Sequence, residues 1–246
     1  SKANRSEPPE ELLTQLPIAL NLIKEMGFHS IEKEGYESDD IIASITTIAK
    51  QQEIKVIIVT HDKDMYQLVD DDKVLIFEPR NKILINEEEV IKKFGVKAID
   101  FTNFQAILGD SSDNVPGVKG IGLKGGAKLI NQYHTLENIY QNIDEIKGAV
   151  KKRIIEGKEK AFLSRELVTL KTDLFDKIDL EDFKFPEVNP IMKVADKLRE
   201  LEMERVIQKV EKEGMFIKTK LPKIEKMEFQ TKTILDEKEL FEIIGN

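Results

Sequence analysis

Residues 105–130 read QAILGDSSDNVPGVKGIGLKGGAKLI, and this stretch holds two chemistries side by side. Asp110 and Asp113 stand three positions apart in GDSSDN, close enough for both carboxylates to reach one cation where the backbone turns. Four residues after Asp113 comes GVKGIG, a glycine-punctuated hairpin leading into an amphipathic run that ends at Lys128, Leu129 and Ile130. Gly117, Gly120 and Gly122 permit positive φ and close backbone approach. Their amides, with the helix N-terminus that follows, form a seat for a phosphate. Taken alone, the same residues also describe a solvated acidic loop and a glycine turn between helices. The flanking chain decides between these readings.

Toward the N-terminus, residues 99–108 form the helix that enters this stretch. Before it, Asn86 caps EEEVIKKFG, which Gly95 closes, and residues 74–77 and 83–85 form a hairpin around the PRNK turn. KVIIVT, residues 55–60, is a continuous β-branched run of the kind found in buried parallel strands. It runs directly into HDKDM, so Asp62 and Asp64 fall at the C-terminal end of a strand. That end is where open α/β sheets bind ligands. A shorter strand is expected at residues 28–33, followed by a helix in SDDIIASITTIAKQQ with Ser38 or a neighbouring Asp as its cap. Glu37, Asp39 and Asp40 sit at that helix start, where acids also serve simply to cap the helix dipole. His61 reads as a supporting or solvent-facing group, because the chain's three histidines are scattered. Further upstream, Leu12, Leu16, Ile18, Leu20, Leu22, Ile23 and Met26 make a helical stripe interrupted by Pro17 and stopped by Gly27.

Toward the C-terminus, short helices are expected at residues 136–140, 150–155 and 161–170. Between Gly117 and Asp173, 11 Lys or Arg face 7 Asp or Glu, a local basic excess in a chain whose net charge is −8. Such a total argues against indiscriminate attraction to nucleic acid, yet leaves room for a local basic face. Residues 186–211 read as a last helical pair, residues 214–232 as a linker, and TILDEKELFEII as the start of something further. No apolar run reaches 18 residues, no signal-peptide pattern opens the chain, and there are no cysteines. The expectation is a cytoplasmic protein without a membrane partner.

GDSSDNVPGVKGIGLKGGAKLI resembles the helix-three-turn-helix region of structure-specific 5′-nucleases, most closely the 5′→3′ exonuclease domain of bacterial DNA polymerase I. The resemblance runs from Lys2 to about Glu211 and includes AFLSREL and TLKTD. It departs at LKGGA, where the family has a form like EKTA, and at His61, where the family has a small residue. The resemblance implies an α/β fold: a mostly parallel sheet flanked by helices in a PIN-like nuclease core, joined to a helical DNA-binding subdomain. It divides the chain into a nuclease core at 1–95, a helix-three-turn-helix and C-terminal helical part at 96–212, and a linker with the first residues of a proofreading-exonuclease-like domain at 213–246.

The same resemblance assigns Glu37, Asp39, Asp40, Asp62, Asp64, Asp110 and Asp113 to a metal cluster. Lys2 and Arg5, in SKANR, match a helical gateway that contacts the scissile phosphate. Gly117, Lys119, Gly120, Gly122, Lys124 and Lys128 match the DNA-binding hairpin, which also admits a monovalent cation. Two carboxylates ~5 Å apart repel by roughly 3 kcal/mol at an effective dielectric near 20, so seven that converge require protonation or cations. All-oxygen ligands suit Mg²⁺ or Mn²⁺, and two such ions support in-line phosphodiester hydrolysis. The implied partners are DNA with 5′ flaps, nicks or ends, and attached polymerase domains. The family's first strand and two more aspartates would fall upstream of Ser1, so a shortened chain, completed by a missing N-terminal segment and cleaving slowly or not at all by itself, is also expected. Two rival readings are a non-catalytic DNA-structure-binding module and a metal-dependent RNase of related fold.

Overall fold

KVIIVT supplies the first strand of the sheet in the computed structural model, which describes residues 8–184 and 188–213. β1 (Val56–Val59) runs parallel to β2 (Val74–Glu78), with Val56 opposite Val74 and Val59 opposite Phe77. β2 turns through residues 79–82 into β3 (Ile83–Ile85), an antiparallel partner in the order β1-β2-β3. The described sheet is therefore mixed, one parallel pair and one antiparallel. Successive side chains of β1 point to opposite faces, and only one face is covered among the described residues, so Ile58 is buried while Ile57 and Val59 are exposed, in place of the strand buried on both faces that the β-branched run suggests.

The structure departs from the sequence reading at the short strand expected upstream. Residues 28–33 form no strand. They are held by side chains instead: His29 packs on Phe183, and Lys33 donates to the Leu174 carbonyl while lying over the Phe175 ring. The expected upstream helix forms as α1 (Glu10–Glu25), with Pro17 inside it. Its apolar stripe is not core: only Leu22 is buried, because the helix does not pack extensively on the sheet or on the helices that follow.

The core of the first compact unit gathers around α4 (Phe101–Leu108), a short helix whose Phe101, Phe104, Ala106 and Ile107 are all buried. The rings of Tyr66, Phe94, Phe101 and Phe104 meet mostly edge to face at 5.0–6.1 Å, joining the sheet side of the core to the helical side. α3 (Glu87–Phe94) delivers Phe94; the Asn86 side chain caps its start, and Gly95, at φ 75°, ends it. α5 (Leu123–Tyr133) approaches α4 closely because Gly126 faces the Phe104 ring, where an added Cβ would sit 3.3 Å away. α6 (Leu136–Gln141), α7 (Gly148–Glu156) and α8 (Lys158–Val168) complete the helical side, with α8 laid along α4.

α2 (Ser38–Gln51) begins at Glu37, not at a Ser or Asp cap, and no side chain caps its first amides. Fully buried Ser44 ties this helix to the chain after α8: its hydroxyl lies within hydrogen-bond distance of the carbonyl of Lys171 and of the amide of Leu174. A second compact unit, described at residues 25–27 and 188–213, holds three short helices where a helical pair is expected. They are α9 (Pro190–Lys193), α10 (Ala195–Glu200) and α11 (Glu204–Glu213), packed around Val194, Leu198 and Ile207. Lys2, Arg5 and the segments 214–232 and TILDEKELFEII lie outside the described residues.

Candidate functional site

Three segments far apart in sequence bring their acids to one cleft of about 380 Å³. The first turn of α2 contributes Glu37, Asp39 and Asp40, the chain just beyond β1 contributes Asp62 and Asp64, and the GDSSDN turn contributes Asp113. The facing wall is the end of α8 and the extended chain after it, residues 166–171, with Glu166 and Lys171 among its side chains.

Each acid is placed by local backbone. β1 ends at Val59, and the Asp62 carboxylate then accepts from the Asp64 amide at 2.9 Å, capping the 3₁₀ turn Lys63–Leu68. Asp40 accepts from the Lys171 amide at 2.8 Å, which ties the acidic helix start to the opposite wall. Gln67 braces the same wall from below, donating to the carbonyls of Asp64 and Val168 and accepting from the Leu170 amide. Gln105, buried on α4, donates to Asp64 while its own carbonyl oxygen is buried without a partner.

Asp110 goes elsewhere. It closes a tight antiparallel bridge with Val115, with Asn114 left-handed at φ 59°. One of its oxygens accepts from the amide and hydroxyl of Ser112, and the other pairs with Lys63 at 2.8 Å. Asp110 lines a neighbouring recess with Gly109, Ser111 and Asn114, while Asp113 lines the cleft. Burial pushes Asp110 up, but the Lys63 ion pair and the Ser112 donors outweigh it and hold the carboxyl below its ordinary range. For Asp64 the balance falls the other way. Burial, reinforced by the charges of Asp62 and Asp110 against a lowering bond from Gln105, lifts it to about 6.

The donor set, hard carboxylate oxygens with one acid strained by its own ionisation, fits a hard divalent cation. The arrangement is open, however: among the described residues no three His, Asp or Glu side chains are drawn together to hold an ion.

Beside the cleft, the hairpin is folded through its glycines. Gly117, at φ 58°, is buried against Gly109, where a Cβ would lie 2.6 Å from the Gly109 nitrogen, and its amide donates to buried Ser164 of α8. Gly120, at φ 84°, offers its carbonyl to Arg153 at 2.8 Å. Gly122 differs from expectation: its φ of −97° is ordinary extended backbone, and it serves as the exposed N-cap of α5 with open space around it. Lys119, Lys124 and Lys128 are exposed. By contrast, Lys151 pairs with Asp144 and Lys158 lies over the Tyr140 ring. Sequence reasoning missed Lys63, Gln67, Gln105, Ser164, Glu166 and Lys171. For three of these the signal was AFLSREL and TLKTD, whose position on the cleft wall and behind the hairpin no local pattern reveals.

Comparison with known proteins matches two family descriptions to successive parts of the chain. Residues 1–95 match the family described as 5′-3′ exonuclease, N-terminal resolvase-like domain, and residues 96–191 match 5′-3′ exonuclease, C-terminal SAM fold. The chain is similar to the 5′-3′ exonuclease of Aquifex aeolicus, at 37% identity over 213 residues, 86% of this chain and 71% of that one. It is similar to the DNA polymerase I of Caldicellulosiruptor bescii at 35% identity over 250 residues, covering 97% of this chain but 29% of that protein. Among solved structures, a T5 5′-exonuclease mutant superposes with a TM-score of 0.58 and 27% identity, covering 65% of this chain and 66% of the other. T5 5′-exonuclease with bound zinc gives 0.59 and 26%, over 70% and 65%.

Proposed function

This chain belongs to the 5′-3′ exonuclease family, and from that premise we propose that it hydrolyses DNA phosphodiesters at 5′ flaps, nicks and ends with the help of Mg²⁺ or Mn²⁺. The observation that carries the proposal is the cleft in which Glu37, Asp39, Asp40, Asp62, Asp64 and Asp113 meet, next to an exposed glycine hairpin. These six, with Asp110, are the residues that would hold the ions. When bound, the ions supply Lewis acidity and an activated water at neutral pH. The chain's own part is to bind and orient. Exposed Lys119, Lys124 and Lys128, with the open N-terminus of α5 at Gly122, suit backbone phosphates of a duplex irrespective of its sequence. Gly117 and Gly120 shape that surface, and a monovalent cation at the hairpin belongs to the same reading. Lys2 and Arg5 act on the scissile phosphate.

The reading extends to the whole protein. Residues 1–95 form the nuclease core, 96–212 its DNA-binding helical part, and 213–246 lead toward the next domain of a cytoplasmic, nucleoid-associated DNA polymerase I. The similarity to the Caldicellulosiruptor polymerase supports this, since covering 97% of this chain takes it past residue 213. Among the described residues no helix is long and apolar enough to cross a membrane.

The test is release of a labelled 5′ flap from a DNA duplex with Mg²⁺ and with EDTA. Product is expected only with metal, and Asp62→Asn with Asp113→Asn should cut the rate by at least about a hundredfold, the scale expected from misplacing a reacting group. Equal rates in EDTA, or in the double variant, overturn it. A matched RNA flap should be the poorer substrate. A second reading, DNA-structure binding without cleavage, draws on the open arrangement of the acids; tight flap binding with no metal-dependent product selects it.

A further inference from the structure

Lys63 lies between Asp62 and Asp64 in sequence, yet its ammonium reaches across to the GDSSDN turn and pairs with Asp110 at 2.8 Å. With Ser112 on the other oxygen, both oxygens of Asp110 are occupied by groups of this chain, and the carboxylate is only 8% exposed. The Lys63 side chain is itself 42% exposed, so the ammonium can leave toward water without breaking the core. An ammonium is a compact, strongly hydrated charge on a flexible stem, suited to such exchange. A divalent ion brings twice its charge to the same carboxylate.

We propose that Lys63 is a built-in counter-ion that occupies Asp110 while no divalent cation is bound and yields it when one enters. This rests on the metal-dependent reading above and adds to it a residue that lowers metal affinity. It also accounts for the open arrangement of the acids. Six carboxylates line the cleft, and Asp110 lines the neighbouring recess, near enough for its charge to act on Asp64. A cation that enters must displace Lys63 to recruit the seventh.

Titration calorimetry of Mn²⁺ into the full chain tests this, alongside Lys63→Met and Lys63→Arg. Lys63→Met should bind Mn²⁺ about fivefold more tightly, the scale of a partly exposed ion pair that no longer has to be broken. Its melting temperature in EDTA should fall, and the rise on adding Mn²⁺ should exceed that of the parent. Lys63→Arg should keep the parent Kd within about twofold, because the counter-charge remains. Adding Asp110→Asn to Lys63→Met should remove the gain, since the carboxylate being released is gone. An unchanged or weaker Kd in Lys63→Met overturns the inference and makes Lys63 a structural tether, while Mn²⁺ binding by the parent still stands for the cluster. Mn²⁺ binding by neither protein overturns the inference together with the metal-dependent reading.

Discussion

At the scale of single residues, Asp64 carries the largest electrostatic cost in the cleft. Its ordinary carboxyl value is 3.8, and the fold raises it to about 6. The sign of the linkage follows: a group with a raised folded pKa costs nothing where both states are protonated, below about 4, and costs progressively more as pH climbs through about 6. Metal-free protein should therefore lose stability across that window. Asp64→Asn should recover about 1–2 kcal/mol at pH 8, a figure reduced for the solvent that reaches the group, and almost nothing at pH 4. Denaturant melts of both proteins at the two pH values, in EDTA, measure it; a pH-independent difference would show the cost lies elsewhere. Asp62 and Asp64 were legible in the sequence because they follow a β-branched run, and strand ends are where such sheets present ligands. Asp110 and Asp113 were legible as a pair but not as a divided one. A spacing of three says nothing about the ion pair with Lys63 and the Ser112 donors that engage Asp110.

Elements were legible where the pattern is locally self-sufficient. The 55–60 strand, the 74–85 hairpin and the Asn86-to-Gly95 helix all came from period and caps, and β1, β2, β3 and α3 match them. Residues 28–33 failed because strand formation depends on a partner, which a sequence window does not contain. α1 shows the converse: a stripe of apolar side chains defines a helix without defining what it packs on. The glycine hairpin and α5 allow a prediction at this scale. If Lys124 and Lys128 each neutralise a phosphate, changing both to Ala should weaken binding to all duplexes alike. The slope of log K against log salt should then flatten by about 0.9 for each phosphate that is no longer neutralised. Anisotropy titrations over a range of salt concentrations measure this, and an unchanged slope removes α5 from the interface.

For the molecule as a whole, a net charge of −8 coexists with a basic excess between residues 117 and 173, so the two signs are segregated along the chain. Metal should therefore act on stability as well as on chemistry. A cation that binds only the folded state stabilises it by RT ln(1 + [L]/Kd), about 2.7 kcal/mol at a hundredfold excess over Kd. Mn²⁺ at that excess should shift the thermal transition of the unit containing the cleft upward, and EDTA should reverse it; calorimetric scans with no shift would argue against a folded-state ion. The acids and the hairpin share this unit and also a wall, because the backbones of Gly109 and Gly117 touch where no Cβ could fit. One glycine opens the acid turn and the other opens the hairpin. Under the proposed function, this contact would hold a duplex gripped at the hairpin at a set offset from the acid turn. Such a protein would work as a ruler: it would find its cut by counting from the point where the strand is clamped, with no need to read bases.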